Sequence, residues 1–139
     1  MLIAVAGEID IATAAQLRDR LAPLAAGARP VIADLTGVTF IDAAGLGVLA
    51  GAAGKAAASG GSLHVVATRH QVRRLFTITG LDQQMPLNRT LTEALGHLRA
   101  ARHIRSAENS RTSARRTLTQ GHQVQAPRRH ATGKEVTSR

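Results

Sequence analysis

DLTGVTFIDAAGLGVLAG, residues Asp34 to Gly51, decides the reading of this chain, because the backbone period changes inside it. An apolar strand ends in Leu35, Gly37 is expected to turn the chain, and a second extended piece runs from Val38 to Ile41. A helix of small residues is then expected from about Ala43. Asp42 stands at its N-cap, where a carboxylate accepts a hydrogen bond from the otherwise unpaired amides of the first turn. A rigid strand end therefore presents a helix N-terminus to solvent.

Within that helix Leu46, Leu49, Ala50, Ala53 and Ala57 recur at helical spacing and are expected to face inward. Gly47, Gly51 and Gly54 form a second stripe, although each glycine costs about 1 kcal/mol of helix propensity relative to alanine. The expected explanation is tight packing on the protein's own sheet; a docking surface for a partner is the alternative. Val48 lies off both stripes, near Lys55, and is expected to be an exposed apolar contact. Gly60-Gly61 ends the helix.

Toward the N-terminus, Leu2 to Ala6 reads as a strand and Gly7-Glu8 as a turn or bulge. Thr13 opens a helix, with Gln16 completing a capping box, and Ala14, Leu17, Leu21, Leu24 and Ala25 form its inner face. Pro23 predicts a kink or an end near Ala22, since proline removes a donor and costs about 3 kcal/mol inside a helix. Val31 to Leu35 is nearly all apolar, as in a strand covered on both faces.

Toward the C-terminus, Leu63 to Ala67 is a strand, and Val72, Leu75, Phe76 and Thr79 mark one face of a helix stopped by Gly80. Met85 to Leu87 reads as a short edge strand. Thr90 and Glu93 form a second capping box, opening a helix with Leu91, Ala94, Leu95 and Leu98 inward. Strands alternating with helices imply an α/β fold with a mainly parallel or mixed sheet of about four strands and about four helices.

Charge places a boundary near residue 101. Residues 1–99 hold nine basic and seven acidic side chains, a balance of +2, and residues 100–139 hold nine and two, a balance of +7. The domain is therefore 1–101, and 102–139 is a basic tail, expected to be disordered because Ile104, Leu118, Val124 and Val136 are too few to offset ordering entropy. The chain has no cysteine, so disulfides and thiolate chemistry are excluded. No signal peptide is read in MLIAVAGEID, and the uncharged run Ala43 to Gly54 falls far short of the ~20 residues that cross a bilayer. A soluble, cytoplasmic protein without membrane insertion is expected.

Converging catalytic groups are not evident. Capping and turn roles account for Asp34 and Asp42, with no base, nucleophile or metal-ligand trio beside them, and no cofactor is expected. The run ending Gly54-Lys55 fails as a phosphate loop, since Leu49 stands where the leading glycine belongs and Ala56 follows the lysine. His64, His70 and His97 read as structural or surface residues, and Arg73 and Arg74 as a solvated helix face. Arg115-Arg116 and Arg128-Arg129 favour only nonspecific attraction to polyanions, because no aromatic residue in the tail stacks on bases.

GEID at Gly7 to Asp10, VIADLTGVTFIDAAGLGVL at Val31 to Leu49, GG at Gly60-Gly61 and VRRLFTITGL at Val72 to Leu81 together resemble the STAS domain of bacterial anti-sigma factor antagonists. The resemblance spans roughly Leu2 to Leu98. It implies a non-enzymatic module that binds an anti-sigma factor, a GHKL-type ATPase and serine kinase, and so frees a sigma factor. It also implies a contact surface at Asp42, Ala43, Ala44, Gly45, Leu46 and Val48. In that family a Ser or Thr before the GLG phrase is phosphorylated to cancel binding, by adding about −1.5 to −2 charges to the docking face. Ala44 holds the acceptor position here and Ala43 also lacks a hydroxyl, so this loop has no phosphate acceptor. The family's strand before the one at Leu2 to Ala6 has no counterpart in the sequence. Two alternatives fit Ala44 equally: an adaptor on a lipid-transport ABC ATPase or a stress-signalling scaffold. Nucleic-acid binding through the tail is a third.

Overall fold

A computed structural model of the chain describes residues 1–120, with side chains to residue 115. Strand β1 (Leu2–Ile9), helix α1 (Ala14–Ala25), β2 (Pro30–Ile41), α2 (Ala43–Ala58), β3 (Ser62–Val66), α3 (His70–Ile78), β4 (Leu87–Asn88) and α4 (Leu91–Gln120) follow in that order. The chain divides into two units, Met1–Arg102 and His103–Arg139.

The four strands form one sheet in the order β1-β2-β3-β4, every neighbouring pair parallel. Each crossover steps the same way across the sheet, and right-handed crossovers then put α1, α2 and α3 on one face. The packing agrees. Val31, Ala33, Leu35, Leu63 and Val65 share a core with Leu17, Leu21, Leu49, Ala53 and Phe76 from those three helices. Ile32 and Val66 point to the opposite face, as the pleat requires, and meet Ala94 and Leu98 of α4.

β1 and β2 run together further than the sequence predicts. The expected bulge at Gly7-Glu8 is present as a register shift, with Gly7 at a φ of 83°, and pairing resumes to Ile9 and Ile41. The expected turn at Gly37 is absent: β2 passes straight through it, opposite Ala6. A Cβ there would lie 3.0 Å from the Ala6 Cβ, so the glycine answers the neighbouring strand's irregularity and not a change of direction.

α1 contains Pro23 and continues to Ala25, against the predicted end near Ala22. The ring is exposed, the lost donor lies in the last turn, and the burial of Leu21 and Ala25 holds that turn in place. The predicted Thr13 capping box does not form. The Asp10 carboxylate accepts from the amides of Ala12 (3.0 Å) and Thr13 (3.1 Å), while the Thr13 hydroxyl donates to the Glu8 carbonyl at 3.0 Å.

The box at α4 forms on the threonine side, while the glutamate reaches one residue past the cap. The Glu93 amide donates to Thr90 Oγ1 at 3.1 Å, and the Glu93 carboxylate accepts from the Arg89 amide at 2.8 Å. Of the residues expected inward, Ala94 is buried and Leu98 half-buried, whereas Leu91 and Leu95 are exposed. α4 extends to Gln120, where the sequence predicts no order beyond about Arg102. Beyond Arg102 it has no Gly or Pro and carries Arg105, Ala107, Glu108, Arg111, Ala114 and Arg115, residues of good helix propensity. Residues 121–139 of the expected tail lie outside the described residues.

A polar cluster closes the ends of β3 and β4. Arg73, expected on a solvated face, donates from Nη1 to the carbonyls of Ala67 (2.9 Å) and Asn88 (3.1 Å), tying the ends of β3 and β4. Buried Asn88 donates to the carbonyls of Val65 and Pro86, and its Oδ1 lies 2.6 Å from His97 Nδ1. His64 is buried, its Nε2 lies 3.2 Å from Ser62 Oγ, and its Nδ1 has no hydrogen-bond partner. Burial, reinforced by His97, lowers the His64 pKa below its usual value of 6.5.

Candidate functional site

In a parallel sheet all strands end on the same side, so the β1–α1 and β2–α2 loops open together at one rim. Ile9 pairs with Ile41, and the Asp42 amide donates to the Ile9 carbonyl at 3.1 Å, which fastens the two loops side by side. Asp42 adopts an extended conformation, and its Oδ1 accepts from the Gly45 amide at 3.1 Å, as the sequence predicts for the α2 N-cap. Its carbonyl accepts from the Leu46 amide at 3.0 Å and begins the helix. Asp34 has a local role too, accepting from the Thr36 amide at 3.0 Å.

The first turn of α2 sits unusually close to the sheet because residue 45 is glycine. A Cβ there would stand 2.7 Å from Ile9 Cγ2, 2.8 Å from Ile41 Cγ1 and 3.2 Å from the Ile9 carbonyl oxygen. Gly45 is thus what lets the helix start directly above the paired strand ends, leaving Ala43 and Ala44 outermost.

Of the six residues predicted to make contact, Ala43 is exposed and Asp42 and Ala44 are half-buried. Gly45, Leu46 and Val48 are buried, so they support the rim from below. Val48 is a correction to the expectation of an exposed contact: it is 7% exposed and packs in the α1–α2 core. Its angular position on α2 is as predicted, but α1 lies against that side. Ala57, predicted inward, is exposed, and Ala52 and Ala56 are buried in its stead.

The glycine stripe also departs from its expected explanation. A Cβ on Gly47, Gly51 or Gly54 would meet nothing within 4 Å, so no packing within the domain requires these glycines. Gly47 and Gly51 instead line a cleft of about 370 Å³ between α1 and α2, floored by Leu21, Val48 and Ala52 and bordered by Arg18 and Lys55. Ala44 lines the same cleft, which makes it continuous with the α2 N-terminus.

Ile11 is a rim residue that the sequence pattern misses. It lies in the β1–α1 loop, 83% exposed, two residues after the Ile9 carbonyl that holds the Asp42 amide. The available signal was an isoleucine immediately after Asp10, outside the apolar period of α1. The rim therefore combines an exposed isoleucine, two alanines and the Asp42 carboxylate engaged in its cap. Among the described residues no group of three or more His, Asp or Glu is arranged to hold a metal ion.

Comparison with known proteins identifies the family. The family model for the STAS domain matches residues 1–94. The anti-sigma-B factor antagonist of Bacillus subtilis is 40% identical over 77 residues, covering 55% of this chain and 71% of that protein. Its namesake in Staphylococcus aureus is 31% identical over 87 residues, covering 62% and 81%. The crystal structure of an anti-sigma factor antagonist from Mycobacterium paratuberculosis superposes with a TM-score of 0.64 at 34% identity, over 70% of this chain and 84% of that one.

Proposed function

The chain belongs to the anti-sigma factor antagonist family of STAS domains, and from that premise we propose that it is a non-enzymatic cytoplasmic regulator that sequesters an anti-sigma factor and so frees a sigma factor. Its contact surface is the rim of Asp42, Ala43 and Ala44 together with Ile11, supported from below by Gly45, Leu46 and Val48. The observation that carries this reading is the pairing of a small-residue helix N-terminus, capped by Asp42, with an exposed isoleucine on paired strand ends. Such a surface suits a partner because its backbone is already fixed, so association loses little ordering entropy.

The partner in this reading is a serine kinase of the GHKL type. Ala44 occupies the position at which that kinase phosphorylates other family members, so the complex forms without being cancelled there. No helix among the described residues is long and apolar enough to cross a membrane.

Titration of the protein with the anti-sigma factor of its own organism tests the proposal. A complex is expected, and it is expected to weaken at least tenfold in Ala43→Arg, which adds charge and bulk at an exposed position without touching the core. If no complex forms, the assignment fails. With kinase and ATP, Ala44→Ser is expected to take up phosphate and lose binding; an Ala44→Ser protein that stays unmodified shows the acceptor position to be misassigned.

A further inference from the structure

The two faces of the sheet are unequally covered. Adjacent strands lie ~4.8 Å apart and a helix with its side chains is ~10 Å across, so one helix cannot cover four strands. α4 lies over Ile32 and Val66, the face beside β1 is left bare, and a groove of about 710 Å³ opens there. Its wall is the α4 stripe Leu91, Leu95 and Leu98, and its floor is Leu2 and Ile32. Leu2 is 53% and Leu95 41% exposed, so the lining is apolar and wet.

The charges around it have one sign. Arg29, Arg99 and Arg102 line the groove, and no carboxylate does. α4 follows β4 after two residues and runs back across the sheet, carrying Arg99 and Arg102 toward the start of β2, where Arg29 stands. The result is an apolar trough with three arginines in its lining. At 1.5 Å per residue the wall from Leu91 to Arg102 is about 16 Å long, room for one extended hydrocarbon chain.

We propose that this groove binds a single-chain fatty carboxylate, with its tail along Leu91, Leu95 and Leu98 and its head at Arg29, Arg99 and Arg102. Apolar lining and charge select this occupant. Each buried methylene contributes about 0.8 kcal/mol, and the planar guanidinium fork matches a carboxylate in two-point geometry. A second copy docked groove to groove would set three arginines against three, which like-charge repulsion opposes. The groove opens on the sheet face opposite α1 and α2, so it is separate from the rim at Asp42 and does not rest on the proposed function.

The full chain is to be titrated with decanoate below its micelle concentration and followed by amide NMR, with decyl phosphate and uncharged decyl glucoside in parallel. Saturable decanoate shifts are expected at Leu2, Ile32, Leu95 and Leu98, with decyl glucoside binding at least tenfold more weakly. The Arg99→Gln/Arg102→Gln protein should bind decanoate about tenfold more weakly and decyl glucoside unchanged, and Leu95→Gln should weaken both. These positions are exposed, so the variants are expected to fold, and their dispersed amide spectra verify it. The proposal is overturned if decanoate produces no saturable shifts or shifts confined to residues after 103, or if decyl glucoside or the arginine variant binds it equally well. Tenfold tighter binding of decyl phosphate overturns the carboxylate assignment.

Discussion

Gly45 shows how much rests on a single missing methyl group. Its Cβ would fall 2.7 Å and 2.8 Å from two isoleucine side chains of the paired strand ends. Gly45→Ala is therefore expected to destabilise the domain by about 1–3 kcal/mol, as overpacking does, measured by urea unfolding. Asp42→Ala loses the cap and is expected to cost about 1 kcal/mol in the same measurement. The Asp42 cap was legible in the sequence because capping is a local bargain between a side chain and the next few amides. The need for glycine at 45 was not, since it depends on Ile9, which is distant in sequence. Even local signals compete: Asp10 takes the Thr13 amide that the capping box predicts for the Gln16 side chain. His64 adds a pH dependence. Its pKa is lowered in the folded state, so below about pH 6.5 the unfolded chain binds protons more readily, and stability falls as pH drops through that value toward the folded pKa. Above it this contribution is fully present. Thermal unfolding between pH 7.5 and 5 should show the decline, and His64→Leu should reduce its slope.

Elements tolerate faults that individual residues announce. Pro23 sits in the last turn of α1 with its ring exposed, and Leu21 and Ala25 keep the helix going past it. Pro23→Ala restores a backbone donor and is expected to stabilise by about 1–3 kcal/mol, read as a higher urea midpoint. The order and type of the elements were legible because apolar spacing follows the helical and extended periods. Which side of α2 would be covered was not, because the position of α1 is a tertiary fact; Val48 is buried for that reason alone. The α2 glycines give a test with two readouts. Gly47→Ala/Gly51→Ala meets no neighbour and should gain about 1 kcal/mol per site in helix propensity. If the α1–α2 cleft belongs to the docking surface, the same protein should bind the anti-sigma factor more weakly while unfolding later. Unchanged affinity would confine the contact to the rim.

At the scale of the whole molecule, the compact unit Met1–Arg102 contains the sheet and its paired loops, and most of the net positive charge lies after it. Removing residues 103–139 is expected to leave the thermal midpoint within a few degrees of the full chain and to abolish retention on DNA at low salt. Retention that persists would locate polyanion binding in the folded unit. The parallel topology gathers the β1–α1 and β2–α2 loops at one rim, and the core lies beneath them, so rim side chains that make no cap can change with little effect on folding. Ala44 is such a position: half-buried, on a turn held by Asp42 and Gly45, and lacking the hydroxyl that a kinase would need. Under the proposed function the protein is then a titrant. Its influence on transcription is counted in molecules per cell, set by synthesis and turnover, and the same scaffold that elsewhere carries a reversible mark here reports dosage.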